Sequence, residues 1–405
     1  MFRVFRIMCS IIMLAALCAL AADPAQAAVE RKRAREYGIK FGVMAPGALN
    51  AITDVPGVLV GHTDVVDIPN RINTGVTAIV PYAGNIFQNK VPAAYFRGNG
   101  FGKMAGGTQI GELGNIETPI ILTNTLSIAA GLEGLIDFTV EFPENSGVRS
   151  VNGVVGETND SGLNDIRGRH VTKEHVVQAI KAAKGGPVEE GVVGAGRGTS
   201  AFSLKGGIGT SSRILPANAG GWTIGVLVQT NFGGVLSING VPVGIELAKL
   251  GGTDPRWPYT YSSPSNAAAG WQQIADVDGS CMIVVATDAP LDSRNLERLC
   301  KRAFVGLGKT GSAYSNGSGD YIIAFSTANR VPHAMPSSRI VQANVVHNDR
   351  MGGLFQAVVD ATEEAIINSL FKATDITVGT TTRRALPIDV TLDIMEQYGK
   401  YIPAP

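Results

Sequence analysis

The run Val277-Asp278-Gly279-Ser280-Cys281-Met282-Ile283-Val284-Val285-Ala286-Thr287-Asp288-Ala289-Pro290-Leu291 decides the architecture. Met282 to Ala286 is apolar at every position, and a strand that shows water no polar face is buried on both sides, inside a layered α/β protein. Asp278-Gly279-Ser280 forms the entrance to that strand. A serine at the mouth of a core strand is held rigidly, which suits a nucleophile. The preceding glycine admits backbone conformations closed to other residues. The same Gly-Ser pair also serves as an ordinary turn before a strand.

Outward from this run, strand and helix signals alternate. Leu296, Leu299, Cys300, Ala303, Phe304 and Leu307 recur at i, i+3, i+4, i+7, i+8 and i+11, predicting an amphipathic helix that Gly308 ends. Tyr321 to Ser326 reads as a strand and Leu354 to Leu370 as a second long amphipathic helix. On the N-terminal side, Thr223 to Thr230 is a strand with Asn231 at its end. Ile120 to Leu122 is another, ending at Thr123-Asn124 before a helix candidate containing Gly and Leu. Thr172 can cap a helix with the apolar face Val176, Val177, Ile180 and Ala183, closed by Lys184 and Gly185. Gly251 to Gly270, rich in Pro, Ser, Asn and Ala, reads as an exposed loop. The sum is an α/β protein of sheets covered by helices, with no repeat of fixed period.

The chain has 405 residues, 45% of them hydrophobic and 17% charged, with 50 glycines and a formal charge of zero. Its length allows two domains or one large layered domain. Composition excludes a coiled coil, a disordered chain and a disulfide scaffold. Without a basic excess to neutralise phosphates, no nucleic-acid partner is expected. The low charge points to surface buried in an oligomer.

Arg3 and Arg6, the apolar run Ile7 to Ala22 and the small-residue pattern Ala25-Gln26-Ala27 form the pattern of a secretory signal peptide. Residues 1–27 are therefore expected to be removed, leaving a mature protein from about Ala28 that is periplasmic or secreted. The apolar run is short for a spanning helix, so no stable membrane anchor is expected, a retained anchor being the alternative. Cys9 and Cys18 leave with this segment; Cys281 and Cys300 are expected to be buried free thiols, a disulfide between them being the alternative.

Several apparent motifs fail. Gly308-Lys309-Thr310 resembles the end of a phosphate-binding loop, but Ala303 stands where the motif needs its first glycine. Gly194, Gly196 and Gly198 lack dinucleotide-binding spacing and read as a flexible loop. His170, Glu174 and His175 share no helix face for a metal, and His62, His333 and His347 are scattered singly. No GxSxG elbow is present.

Six stretches in order carry a specific resemblance: LNAITDVPGVLVGH (Leu49 to His62), VVGETND (Val154 to Asp160), VQTNFG (Val228 to Gly233), VDGSCMIVVATDAPL (Val277 to Leu291), GSAYSNGSGDYIIAFST (Gly311 to Thr327) and ATEEAIINSLFKA (Ala361 to Ala373). Together they resemble the L-aminopeptidase/D-esterase and β-peptidyl aminopeptidase family over nearly the whole chain from about Arg35 to Leu386. The resemblance implies a four-layer αββα sandwich, N-terminal-nucleophile-hydrolase-like with a distinct connectivity, and no metal or cofactor. It further implies self-cleavage between Gly279 and Ser280. Residues 28–279 and 280–405 then become two chains of one catalytic domain, associating as an oligomer of processed heterodimers.

Ser280, freed at its α-amine, is implied as nucleophile, with that amine a candidate base: its reference pKa is about 7.7–8.0, against about 10.4 for lysine. Ser318 and Asp320 match the pair that orients and tunes it, and Asn231 matches an oxyanion-hole donor. Glu157 matches the carboxylate for the substrate's free amine, with Asn159 close by. Read without the resemblance, these are turn residues and a surface carboxylate. The implied activity is a serine aminopeptidase acting on small peptides, amides or esters, β-amino-acid residues included. The alternatives are a self-cleaving acyltransferase of related mechanism and a non-catalytic periplasmic small-molecule-binding protein.

Overall fold

The strand that enters at Gly279 lies in the middle of the larger of two main sheets. The structure is a computed structural model and describes residues 31–261 and 279–402. The signal-peptide expectation for residues 1–27 falls outside them. In chain order the main strands are β1 (Leu59–Asp67), β2 (Ile72–Val80), β3 (Asn89–Gly100), β4 (Met104–Ala105), β5 (Ile120–Asn124), β6 (Val154–Thr158), β7 (Ile208–Ile214), β8 (Thr223–Asn231), β9 (Gly279–Thr287) and β10 (Ser318–Ser326). The principal helices are α1 (Ile128–Val140), α2 (Lys173–Lys181), α3 (Ser293–Lys309) and α4 (Gly352–Lys372).

One sheet has the order β1-β2-β5-β6-β4 and the other β7-β8-β9-β10-β3, extended by short strands that pair with β3. β9 is antiparallel to β8 and parallel to β10. Side chains alternate along it. Cys281, Ile283 and Val285 join a core with Leu299 and Ala303 of α3 and Leu354 and Ala361 of α4. Met282, Val284 and Ala286 turn the other way, into a core shared with Ile79, Ile120 and Val154 of the facing sheet. That sheet's outer side, with Val76, Ile121 and Val155, packs against Leu135 of α1 and Val176, Ala179 and Ile180 of α2. Three cores separate four layers, the αββα sandwich, and Met282–Ala286 is apolar throughout because it serves two of them.

Several elements depart from the sequence reading. α3 runs through Gly308, and the left-handed residue beyond it is Gly311, at φ +97°. α4 is buried nearly all round instead of along one face. Its carboxylates are the reason: Glu364 pairs with Arg213 and Arg35, and Glu363 with Lys309. On α2, Ala179 takes the buried place assigned to Val177. The stretch after Gly251 is an irregular, mostly exposed loop as far as it is described, but two aromatic side chains anchor it: Trp257 and Tyr261 are buried, and Tyr261 donates to the Phe202 carbonyl at 2.8 Å; residues 262–270 fall outside the described residues. Gly194–Gly196 is a buried 3₁₀ turn, not a flexible loop. It is wedged so tightly that a Cβ on Gly196 would come 2.5 Å from the Ile208 nitrogen. Cys281 and Cys300 are buried free thiols, and burial pushes both pKa values up. Among the described residues, no helix is long and apolar enough to cross a membrane.

Candidate active site

Strand pairing assembles the site. Ser280 faces Asn231 across the β8–β9 ladder and Gly319 across the β9–β10 ladder. Residues directly opposite in a ladder point to the same face, so Ser280 and Asn231 share the side of the sheet that carries Met282. Ser280 is 4% exposed. Its hydroxyl donates to the Gly279 carbonyl oxygen at 2.6 Å and accepts from the Gly319 N–H at 3.3 Å. The nucleophile candidate is thus held against the carbonyl of the residue before it. Space explains the glycine there: a Cβ on Gly279 would lie 2.5 Å from Phe232 Cα and 2.8 Å from the Asn231 carbonyl oxygen.

Asn231 is fixed at both ends of its amide. Its Oδ1 accepts from the Ser200 N–H at 3.0 Å, and its Nδ2 donates to the Asn159 carbonyl at 3.0 Å. Asn159 therefore reaches the site through its backbone. Its exposed side chain accepts from the Ser161 N–H at 3.0 Å and shapes the local turn.

Glu157, at the end of β6, is 2% exposed. It accepts from the Lys103 N–H at 2.9 Å and from the Thr125 hydroxyl, while the Lys103 ammonium, 58% exposed, stands 3.6 Å away. A cavity of about 410 Å³ brings Glu157, Asn159, Asn231, Gly279 and Ser280 together, with Phe101 and Arg383 also in its wall. An anion from one sheet thereby faces a hydroxyl from the other.

Ser318 and Asp320 lie elsewhere. Both belong to β10 itself, opposite Gly279 and Cys281, and alternation turns them to the helix-covered face away from the cavity. The Asp320 carboxyl is buried, and burial raises its pKa to about 6, opposed by the nearby Ser318 hydroxyl and Cys281 backbone amide. Neither neighbour makes a well-formed hydrogen bond to it, and Ser318 Oγ is likewise without a partner. Asp320 thus touches the strand one residue beyond Ser280.

Other participants are not singled out by the motifs. The Ser200 and Gly319 contributions are backbone N–H groups, invisible in side-chain patterns. Lys103 and Thr125 stand far from Glu157 in sequence. Asp160, inside the VVGETND stretch, is buried beside the cavity wall, bonded by Asn164 at 3.0 Å, with its pKa raised to about 6 mainly by burial. Among the described residues, no group of three or more His, Cys, Asp or Glu side chains is placed to hold a metal ion.

The sequence model of peptidase family S58 matches residues 50–384. The chain belongs to peptidase family S58. It is 38% identical to a β-peptidyl aminopeptidase of Sphingosinicella microcystinivorans over 388 residues, 93% of this chain and 95% of the relative. Among solved structures it is similar to a Burkholderia β-aminopeptidase, at 38% identity and TM-score 0.81 over 92% of this chain and all of that one. It is also similar to the L-aminopeptidase D-Ala-esterase/amidase of Ochrobactrum anthropi, described as a variant of the N-terminal-nucleophile hydrolase fold, at 33% identity and TM-score 0.80 over 91% and 99% of the two chains. This S58 member is accordingly a serine aminopeptidase of the N-terminal-nucleophile type, and the binding-protein alternative is set aside.

Proposed function

We propose that this S58 peptidase is a precursor that cuts itself between Gly279 and Ser280 and then releases N-terminal residues from short peptides, amides and esters, β-amino-acid residues among them. The observation that carries the reading is the Ser280 hydroxyl held 2.6 Å from the Gly279 carbonyl oxygen at the mouth of β9. Attack of Oγ on the Gly279 carbonyl carbon forms an ester as the C–N bond breaks, and the Ser280 nitrogen leaves as an amine carrying the hydroxyl proton. Water then opens the ester to give a Gly279 carboxylate and the free Ser280 hydroxyl.

In turnover, the Ser280 hydroxyl attacks the substrate carbonyl and passes its proton to the adjacent α-amine, a base suited to neutral pH. Asn231 Nδ2 gives one hydrogen to the Asn159 carbonyl and offers its second to the developing oxyanion. Asp320, beside the backbone of residue 281, holds the amine's charge from the helix side. Glu157 receives the substrate's ammonium, which selects peptides with an unblocked N-terminus. The kinship with β-aminopeptidases supports the β-residue scope. The N-terminal sequence pattern supports export to the periplasm or beyond, and low charge supports an oligomer of processed heterodimers.

The test is hydrolysis of β-alanyl and L-alanyl anilides beside their N-acetylated forms, with a competing amine present. The expected result is release of aniline from the free-amine substrates alone and no acyl-transfer product. Equal cleavage of the acetylated forms would remove Glu157 from its role, and transfer to the amine in place of water would make the protein an acyltransferase.

A further inference from the structure

We propose that Arg383 binds the carboxylate of the leaving group, so that the preferred substrates are zwitterionic dipeptides with a free carboxylate next to the scissile bond. The proposal rests on the aminopeptidase reading of the same cavity and extends it to the side beyond the cut.

Arg383 closes a small hairpin of Ile376–Val378 and Thr381–Arg383, and it shares the cavity with Ser280 and Glu157. The other cations in this part of the molecule are spoken for: Lys103, in the same cavity, stands 3.6 Å from Glu157, and three more are occupied. Arg197 is paired with Asp64 at 2.6 Å, and Arg384 with Asp375 at 2.7 Å. Lys205 is fully buried, its ammonium donating to the carbonyls of Gly196 and Thr199 at 2.9 Å each and of Gly206 at 2.7 Å. Arg383 has no carboxylate partner among the described residues. Its hydrogen bond there is a long one, 3.5 Å from Nη1 to the Ser203 carbonyl, and its buried Nε has no acceptor. A guanidinium with unspent, parallel donors matches a carboxylate in shape and charge.

The two charges are attached to different walls. Glu157 is tied to Lys103 and Thr125, whereas Arg383 leans on the Ser200–Lys205 hairpin whose Ser200 N–H holds Asn231. A dipeptide carries an ammonium before its scissile bond and a carboxylate after it. One orientation satisfies both ends, and the reverse puts like charges together. The cavity therefore selects both the length and the direction of its substrate.

The experiment compares kcat/KM for β-alanyl-L-alanine and β-alanyl-L-alanine amide in processed wild type, Arg383→Met and Arg383→Lys. The wild type should favour the free acid by about tenfold or more, the worth of one charge-assisted hydrogen bond. Arg383→Met should bring the acid-to-amide ratio close to one, and Arg383→Lys should keep part of the preference. Release of the Ser280 fragment in each variant reports an intact site. Equal rates on acid and amide in the wild type would overturn the proposal. So would a ratio that survives Arg383→Met, the result expected if Arg383 clamps the Gly279 carboxylate of the chain itself. If the wild type cuts neither substrate nor any free-amine anilide, the aminopeptidase reading fails and takes this proposal with it.

Discussion

Asn231 and Ser280 face each other across an antiparallel ladder, and the Asn231 amide is aimed by a backbone donor at one end and a backbone acceptor at the other. The oxyanion donor and the nucleophile are thus placed by the same β-sheet hydrogen-bond register, and neither depends on a mobile loop for its position.

Asn231→Asp keeps the acceptor for the Ser200 N–H but loses the donor. It should lower kcat by about 10²–10³-fold, the usual cost of one oxyanion-hole donor, with KM changed far less. Steady-state kinetics on processed protein would check this. A loss confined to KM would show that Asn231 serves binding instead.

Glu157 has a resident competitor, because the Lys103 ammonium stands 3.6 Å from the oxygen that is to receive the substrate's amine. Lys103→Met should lower KM for free-amine substrates a few-fold, in line with a pair whose lysine is largely exposed. Glu157→Gln should raise KM strongly while leaving self-cleavage intact, since processing uses no free amine. Failure of a folded Glu157→Gln protein to process would contradict this division of labour.

Gly279→Ala should slow processing without preventing folding of the strand beyond it. The added Cβ would meet Phe232 Cα at 2.5 Å and displace the very carbonyl that Ser280 addresses. Accumulation of precursor, followed over time on a denaturing gel, measures the effect.

Burial raises the Asp320 pKa from 3.8 to about 6. Between these values the folded protein holds a proton that the unfolded chain has lost, so this residue's contribution to stability falls as pH rises through that window. The contribution is largest below pH ~4, and its loss is complete above pH ~6, amounting to about 3 kcal/mol. Asp320→Asn should therefore flatten the decline in Tm between pH 4 and 6 and be the more stable protein at pH 7. Thermal unfolding of both proteins at pH 4, 5, 6 and 7 checks the sign.

Glu364 is buried among Arg35, Asn50 and Arg213, with Nη2 of Arg213 2.6 Å from its carboxylate. Breaking a buried pair leaves an uncompensated charge, so Glu364→Gln should cost about 3–5 kcal/mol in denaturant unfolding. Arg213 and Glu364 also show why part of the fold was not legible in the sequence. A periodicity argument assigns Glu363 and Glu364 to the wet side of an amphipathic helix. The helix is in fact enclosed, its charges neutralised by partners 151 and 329 residues away along the chain.

Other features were legible for definite reasons. Met282–Ala286 announced its burial on two faces because no polar side chain interrupts it, and the α3 stripe announced its partner layer. Ser280, Asn231 and Glu157 were nameable from ordered motifs, and the structure gathers them around one cavity. The same motifs were silent on which face Ser318 and Asp320 occupy, because that depends on β10 beginning at Ser318 and on its register with β9. They were silent too on Ser200 and Gly319, which act through backbone N–H groups, and on Arg383, whose neighbours are distant in sequence.

The central claim is that Ser280 becomes an N-terminal nucleophile. The most direct measurement is denaturing electrophoresis with N-terminal sequencing of purified wild type beside Ser280→Ala. The account predicts a wild-type fragment whose first residue is Ser280 and a Ser280→Ala protein that remains one uncut chain. A wild type that hydrolyses free-amine substrates while intact across Gly279–Ser280 would contradict it.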